Sequence, residues 1–148
     1  MDTNFYPRVG KIFSLNLIQS KKTNIDNFVN MFNAEDYDFK EYVGEEYYYL
    51  NNNITLSFKI IEIFVQYDSI NEVRYDLEKY YLMPSSQWLF PFMEKYDNDA
   101  DCPIGIIDPF WMDCYNREYI PIIDEDGMPT FCNISLLYGN YRWLVIIG

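Results

Sequence analysis

The 148-residue chain contains no histidine. That absence removes Ser-His-Asp and Cys-His nucleophilic catalysis, histidine-ligated metal and a histidine pH switch together. Basic residues are scarce as well, 11 against 23 acidic ones, which leaves a formal charge of −12 and a pI of about 4.2. Such a chain is a poor ligand for nucleic acid itself, because backbone binding rests on Lys and Arg neutralising phosphates. The six glycines are scattered and form no phosphate-cradling loop. Cys102, Cys114 and Cys132 match neither a C-x-x-C redox pair nor a zinc knuckle, so three reduced, mostly buried thiols are expected. The most hydrophobic run, residues 54–65, carries Lys59 and Glu62 and falls far short of a bilayer span. Asp2, Ser14 and Asn16 spoil a signal-peptide pattern at the start, which makes the cytoplasm the expected compartment. No cofactor and no metal are implied.

Aromatic side chains are abundant: 15 Tyr, 11 Phe and 3 Trp make up 20% of the residues. Fourteen Asn against two Ala suggest an AT-rich coding genome, as in a low-GC bacterium, its phage or a plasmid. With 49% apolar residues and no linker or repeat, residues 1–148 are expected to fold as one compact domain.

Residues 12–18 alternate as a strand, with Phe13, Leu15 and Leu17 on one face. Thr23 can cap a helix whose stripe is Ile25, Phe28, Val29 and Phe32. Residues 46–50 and 54–65 are expected to pair as a hairpin through Asn51-Asn52-Asn53. The second of these strands changes phase at Ile60-Ile61, as a β-bulge would cause. Ser69 and Glu72 have capping-box spacing, which predicts a helix from Ile70 toward Met83 that buries Ile70, Val73, Leu77 and one of Tyr80 or Tyr81. A further helical piece over residues 86–96 contains Pro91. Residues 119–123 read as a strand and Asp124-Glu125-Asp126-Gly127 as a turn. Residues 131–138 are expected to pair with 141–147 through Gly139-Asn140. The last strand is apolar on both faces and should lie inside the sheet. This order predicts an α+β fold, a mostly antiparallel sheet with two to three helices covering one face.

Asp97, Asp99, Asp101, Ile104 and Asp108 fall at EF-hand-like positions, but Cys102 stands where the calcium loop needs glycine and Pro103 follows it. A solvated acidic loop is the plainer expectation. Asp108, Asp113 and Glu118 beside Trp111 and Tyr115 are the residues a carboxylate-dependent hydrolase could use. Charge is unevenly spread. Residues 1–24 carry +3 and the remainder −15, with −5 over residues 34–46 and −8 over residues 92–126.

Carboxylates interleaved with tyrosines suit a surface that meets a positive protein, where charge steers encounter and aromatic rings anchor. The expectation is therefore a small acidic inhibitor, not an enzyme, that binds and occludes a basic, nucleic-acid-acting partner. It would be an immunity protein for a toxin or a phage-borne anti-defence protein. Its candidate contact residues are Asp97, Asp99, Asp101, Asp108, Trp111, Asp113, Tyr115, Asp124, Glu125 and Asp126. The alternatives are the small hydrolase and an acidic structural or adaptor domain.

Overall fold

The computed structural model describes residues 5–17, 54–96, 102–108 and 111–147. The chain forms β1 (Phe13–Leu17), β2 (Ile54–Val65), α1 (Ile70–Glu78), α2 (Leu89–Lys95), β3 (Ile104–Gly105), β4 (Trp111–Met112), β5 (Glu118–Ile123), β6 (Pro129–Asn133) and β7 (Gly139–Ile146). Short 3-10 turns at Ser86–Trp88 and Ile134–Leu136 precede α2 and β7. The expected helix over 23–32 and strand over 46–50 lie outside the described residues.

The seven strands make one mixed sheet in the order β1-β2-β7-β3-β5, with β4 and β6 also pairing with β5. The β3–β7 pair is parallel and the other pairings between named strands are antiparallel. The fold is α+β and dominated by its sheet. Two α-helices stand among the described residues, and they cover opposite faces rather than one. Leu89, Phe90 and Phe92 of α2 pack with Phe13, Leu15, Phe58, Ile60, Leu144 and Ile146. Ile70 and Leu77 of α1 pack with Val65, Trp143 and Val145 on the other side.

Burial on both faces explains the phase change in β2. Its pairing with β7 runs unbroken from Phe58↔Ile146 to Val65↔Gly139, with no bulge at Ile60-Ile61. Phe58 and Ile60 enter the α2 core while Ile61, Ile63 and Val65 enter the α1 core, so the apolar residues switch face without the backbone changing register.

The expected pairing of 131–138 with 141–147 is also overturned. Strand β6 pairs with β5, in a register running from Tyr119↔Asn133 to Ile123↔Pro129. Gly139 and Asn140 open β7 opposite Val65 and Phe64 instead of forming a turn. The central place expected for the last strand does hold, since β7 lies between β2 and β3. A strand apolar on both faces is best buried between two neighbours, and the 3-10 turn carries the chain there from the edge.

Helix α1 begins at Ile70 as expected, but Ser69 makes no side-chain cap. Its hydroxyl instead donates to the Gln66 carbonyl at 2.6 Å and accepts from the Gln66 amide at 3.0 Å. The helix stops at Glu78, short of Met83, and Leu82 exchanges backbone hydrogen bonds with Ile146 of β7 at 2.9 and 3.1 Å. Tyr81 is half-buried against the α1 core while Tyr80 is exposed. Pro91 falls in the first turn of α2, where an amide has no helical acceptor to lose. Among the described residues no helix is long and apolar enough to cross a membrane.

Gly105 sits where β3 is squeezed between β7 and β5. A Cβ there would stand 2.7 Å from the Ile122 side chain and 2.7 Å from the Pro121 carbonyl oxygen, a backbone atom that cannot step aside. Gly105→Ala is expected to destabilise the fold by about 1–3 kcal/mol, in the range of core overpacking. Urea unfolding checks this, and an unchanged midpoint would mean that β3 moves freely.

Candidate functional site

Two hairpins in this chain use the same turn. The β4–β5 connection is Asp113-Cys114-Tyr115-Asn116-Arg117, and the β5–β6 connection is Asp124-Glu125-Asp126-Gly127-Met128. In each, the opening aspartate accepts two backbone N–H bonds through Oδ1, from Tyr115 and Arg117 in the first and from Asp126 and Met128 in the second, all at 2.9 Å. Its own amide donates to the fifth residue, and its carbonyl accepts from the fourth. That fourth residue is left-handed in both, Asn116 at φ 65 and Gly127 at φ 78. Asn and Gly tolerate this backbone, and an aspartate at the first position is the usual side-chain staple. The D-x-x-N spacing of the first turn, matching D-x-x-G of the second, is the sequence signal that identifies it.

The two aspartates then part in environment. The Asp113 side chain is fully buried, and its Oδ2 accepts from Arg117 Nε at 2.7 Å and from the Tyr119 hydroxyl at 3.1 Å. Burial alone would push its carboxyl up, but the hydrogen bonds from Arg117, Tyr115 and Tyr119 outweigh burial and hold it below its ordinary value. Bonding to Asp113 likewise holds the Arg117 guanidinium more firmly protonated. Asp124 is half-buried, and its neighbours Glu125 and Asp126 are exposed at the tip of the hairpin.

Asp108 and Trp111 are also interior, each 2% exposed. The Asp108 carboxylate accepts from the Ser86 amide at 2.9 Å and from the Ser86 hydroxyl, and Trp111 Nε1 donates to Ser86 Oγ at 2.9 Å. This chain of bonds ties the segment before β4 to the turn that starts α2. The Trp111 ring packs 4.8 Å from Phe131. Ile104, in the calcium-like spacing, is a buried residue of β3. Asp97, Asp99 and Asp101 lie outside the described residues. Glu118, at the start of β5, is half-buried, and Cys114 is exposed rather than buried.

Strand register separates the remaining candidates. Val65 pairs with Gly139, Ile104 pairs with both Arg142 and Ile123, and the turn after Ile123 therefore lies at the sheet end where β2 finishes and β7 begins. Glu125 and Asp126 belong to that end. Tyr115 belongs to the other, about 17 Å away along the six residues of β5. The seven candidates among the described residues thus do not form one face: Asp108, Trp111 and Asp113 are inside, Tyr115 is exposed at one sheet end, and Glu125 and Asp126 are exposed at the other.

Sequence reasoning passed over three rings at the acidic end. Phe64, Tyr67 and Tyr138 are 51%, 60% and 52% exposed. Tyr67 stacks on Tyr138 with centroids 4.7 Å apart, and Phe64 meets Tyr138 edge-on at 5.2 Å. The available signal was the alternation of β2, which puts Phe64 on the same side as the exposed Glu62 and past the last core residue of that side, Ile60.

On the outer side of α1, Asn71, Glu72, Tyr75 and Asp76 line a shallow cavity of about 400 Å³. Lys79 engages two of these residues, 3.3 Å from Asp76 and 4.8 Å from the Tyr75 ring centroid. A second shallow cavity of about 360 Å³ borders β1 and α2. No family model, curated protein or solved structure matches this chain.

Proposed function

We propose that this chain is a small acidic inhibitor that binds and occludes a basic protein acting on nucleic acid, as an immunity protein or an anti-defence protein would. The observation that carries the reading is the β5–β6 turn, which displays the exposed carboxylates of Glu125 and Asp126 on a backbone stapled by Asp124. Carboxylates held on a rigid turn lose little entropy on binding, so their attraction for Lys and Arg is retained as affinity. The net charge of −12 adds long-range steering. The hydrolase alternative draws no comparable support. Asp113 is held ionised by four donors, which makes it a poor general acid, and Asp108 is engaged by Ser86.

The test is capture of partners from cells that carry the gene, with elution by salt, followed by assay of the captured protein's activity on nucleic acid. Inhibition by the wild-type chain is expected. Glu125→Gln with Asp126→Asn, leaving the Asp124 staple in place, should weaken binding at least tenfold, about 1.4 kcal/mol, with an unchanged thermal midpoint. The association rate should also fall between low salt and physiological ionic strength, where the Debye length is about 8 Å. Equal affinity of the variant and the wild type would remove the acidic turn from the interface.

A further inference from the structure

The cluster Phe64, Tyr67 and Tyr138 shares its sheet end with the acidic turn. From β7 to β5 is two strand spacings, about 10 Å, so one partner surface can cover both. We propose that this cluster is the anchor of the interface and receives an arginine-rich segment of the basic partner, its guanidinium groups stacking on the tyrosine faces while Asp68, Glu125 and Asp126 take their N–H donors. The inference rests on the proposed inhibitory reading and names the partner's chemistry.

Three rings each more than half exposed, and packed on one another at the surface, form an anchor-type patch. Charge selects what covers it. Asp68 follows Tyr67 directly and is exposed, with a left-handed backbone at φ 62. Arg142, the basic residue of β7, lies 3.5 Å from Glu62 and is only 19% exposed at its side chain. An arginine satisfies ring and carboxylate together, because its flat guanidinium stacks on tyrosine and presents paired donors at its edge. A lysine ammonium offers no such plane. The chain itself makes this arrangement at its opposite end, where the Arg117 guanidinium lies 5.2 Å from the Tyr115 ring centroid while Nε bonds Asp113.

The cluster is also held in advance. Ser69 locks the residue 66–69 turn by exchanging bonds with Gln66 through both its hydroxyl and its amide, which fixes the backbone that carries Tyr67. The hydroxyl that leaves α1 uncapped thus serves this turn.

Calorimetric titration of the full chain with oligoarginine and with oligolysine of equal length tests the inference, with the tyrosine ring resonances followed by NMR. Oligoarginine should bind at least tenfold more tightly and shift the Tyr67 and Tyr138 rings. Tyr67→Ala with Tyr138→Ala should bring the two peptides to equal affinity. Should the alanine pair fail to fold, Tyr67→Leu with Tyr138→Leu keeps apolar bulk without the ring faces and should give the same equalisation. Equal affinities in the wild type, or an arginine preference that survives the tyrosine substitutions, would overturn the aromatic anchor. If Glu125→Gln with Asp126→Asn weakens both peptides while the tyrosine variants do not, the anchor falls and the acidic turn stands. Binding of neither peptide to the wild type would overturn both.

Discussion

Phe58→Ala is expected to lower the unfolding free energy by about 3–5 kcal/mol, the usual cost of deleting a fully buried aromatic ring. Phe58 is 0% exposed and sits on β2 opposite both Phe13 of β1 and Ile146 of β7. Its ring lies 6.0 Å from Phe13 and 5.1 Å from Trp88, so it joins the sheet to the turn that leads into α2. Neighbours anchored on three separate elements cannot collapse into the vacated space, which puts the cost toward the upper part of the range. Urea unfolding should show the loss as a lower midpoint with an unchanged slope. Phe64→Ala is the internal control. It removes the same side chain from the same strand, but from a ring that is 51% exposed, and should leave stability nearly intact. A loss below about 1 kcal/mol for Phe58→Ala would contradict the packing described above.

Asp113→Asn is the second large effect, and it is a pH effect as well as a stability effect. The amide oxygen of asparagine can still accept the turn's two backbone N–H bonds. The amide nitrogen would then face Arg117 Nε and the Tyr119 hydroxyl, and it would meet the arginine donor to donor. A thermal midpoint lower by about 10 °C is expected, since a buried donor left unmatched bears its full desolvation cost. The carboxyl is held below its ordinary value of 3.8 in the folded chain. Its contribution is therefore present above pH 3.8 and is lost as pH falls from there through the lower folded value. The wild-type chain should lose stability over that acid range, and Asp113→Asn should show a flatter acid limb. Parallel limbs would mean that the salt bridge does not couple to folding. Burial pushes Tyr141 up to about 12 and Tyr119 also upward, so both contribute stability below their ordinary value of 10.0 that is lost as pH rises above it. The Asp113→Asn substitution should leave the Tyr141 part of that alkaline loss unaltered.

The functional candidates show where reading by residue type reaches its limit. Asp113 and Asp124 have the same chemistry and open the same turn, yet one is enclosed by Arg117 and Tyr119 while the other leads to exposed carboxylates. A count of acids over residues 92–126 treats them alike. Asp108 counts as one more candidate contact acid on the same basis, yet it is buried and bonded to Ser86, 22 positions earlier in the chain.

By itself the sequence determined what neighbours within a few residues determine. The missing histidines set limits on the chemistry, alternation marked β1, short apolar runs marked β5 and β7, Ile70 opened α1, and Asp124 to Gly127 made a turn. Each of these depends on backbone preference or on a periodicity visible in a short window. Only the tertiary structure decided that β6 joins β5 rather than β7, that β2 buries both of its faces, and that the helices lie on opposite sides of the sheet. It also decided that Phe64, Tyr67 and Tyr138 meet at one sheet end while Tyr115 lies at the other. These outcomes turn on which distant surfaces exclude water from one another. That desolvation is a property of partners far apart in the chain, and no local pattern of residues carries it.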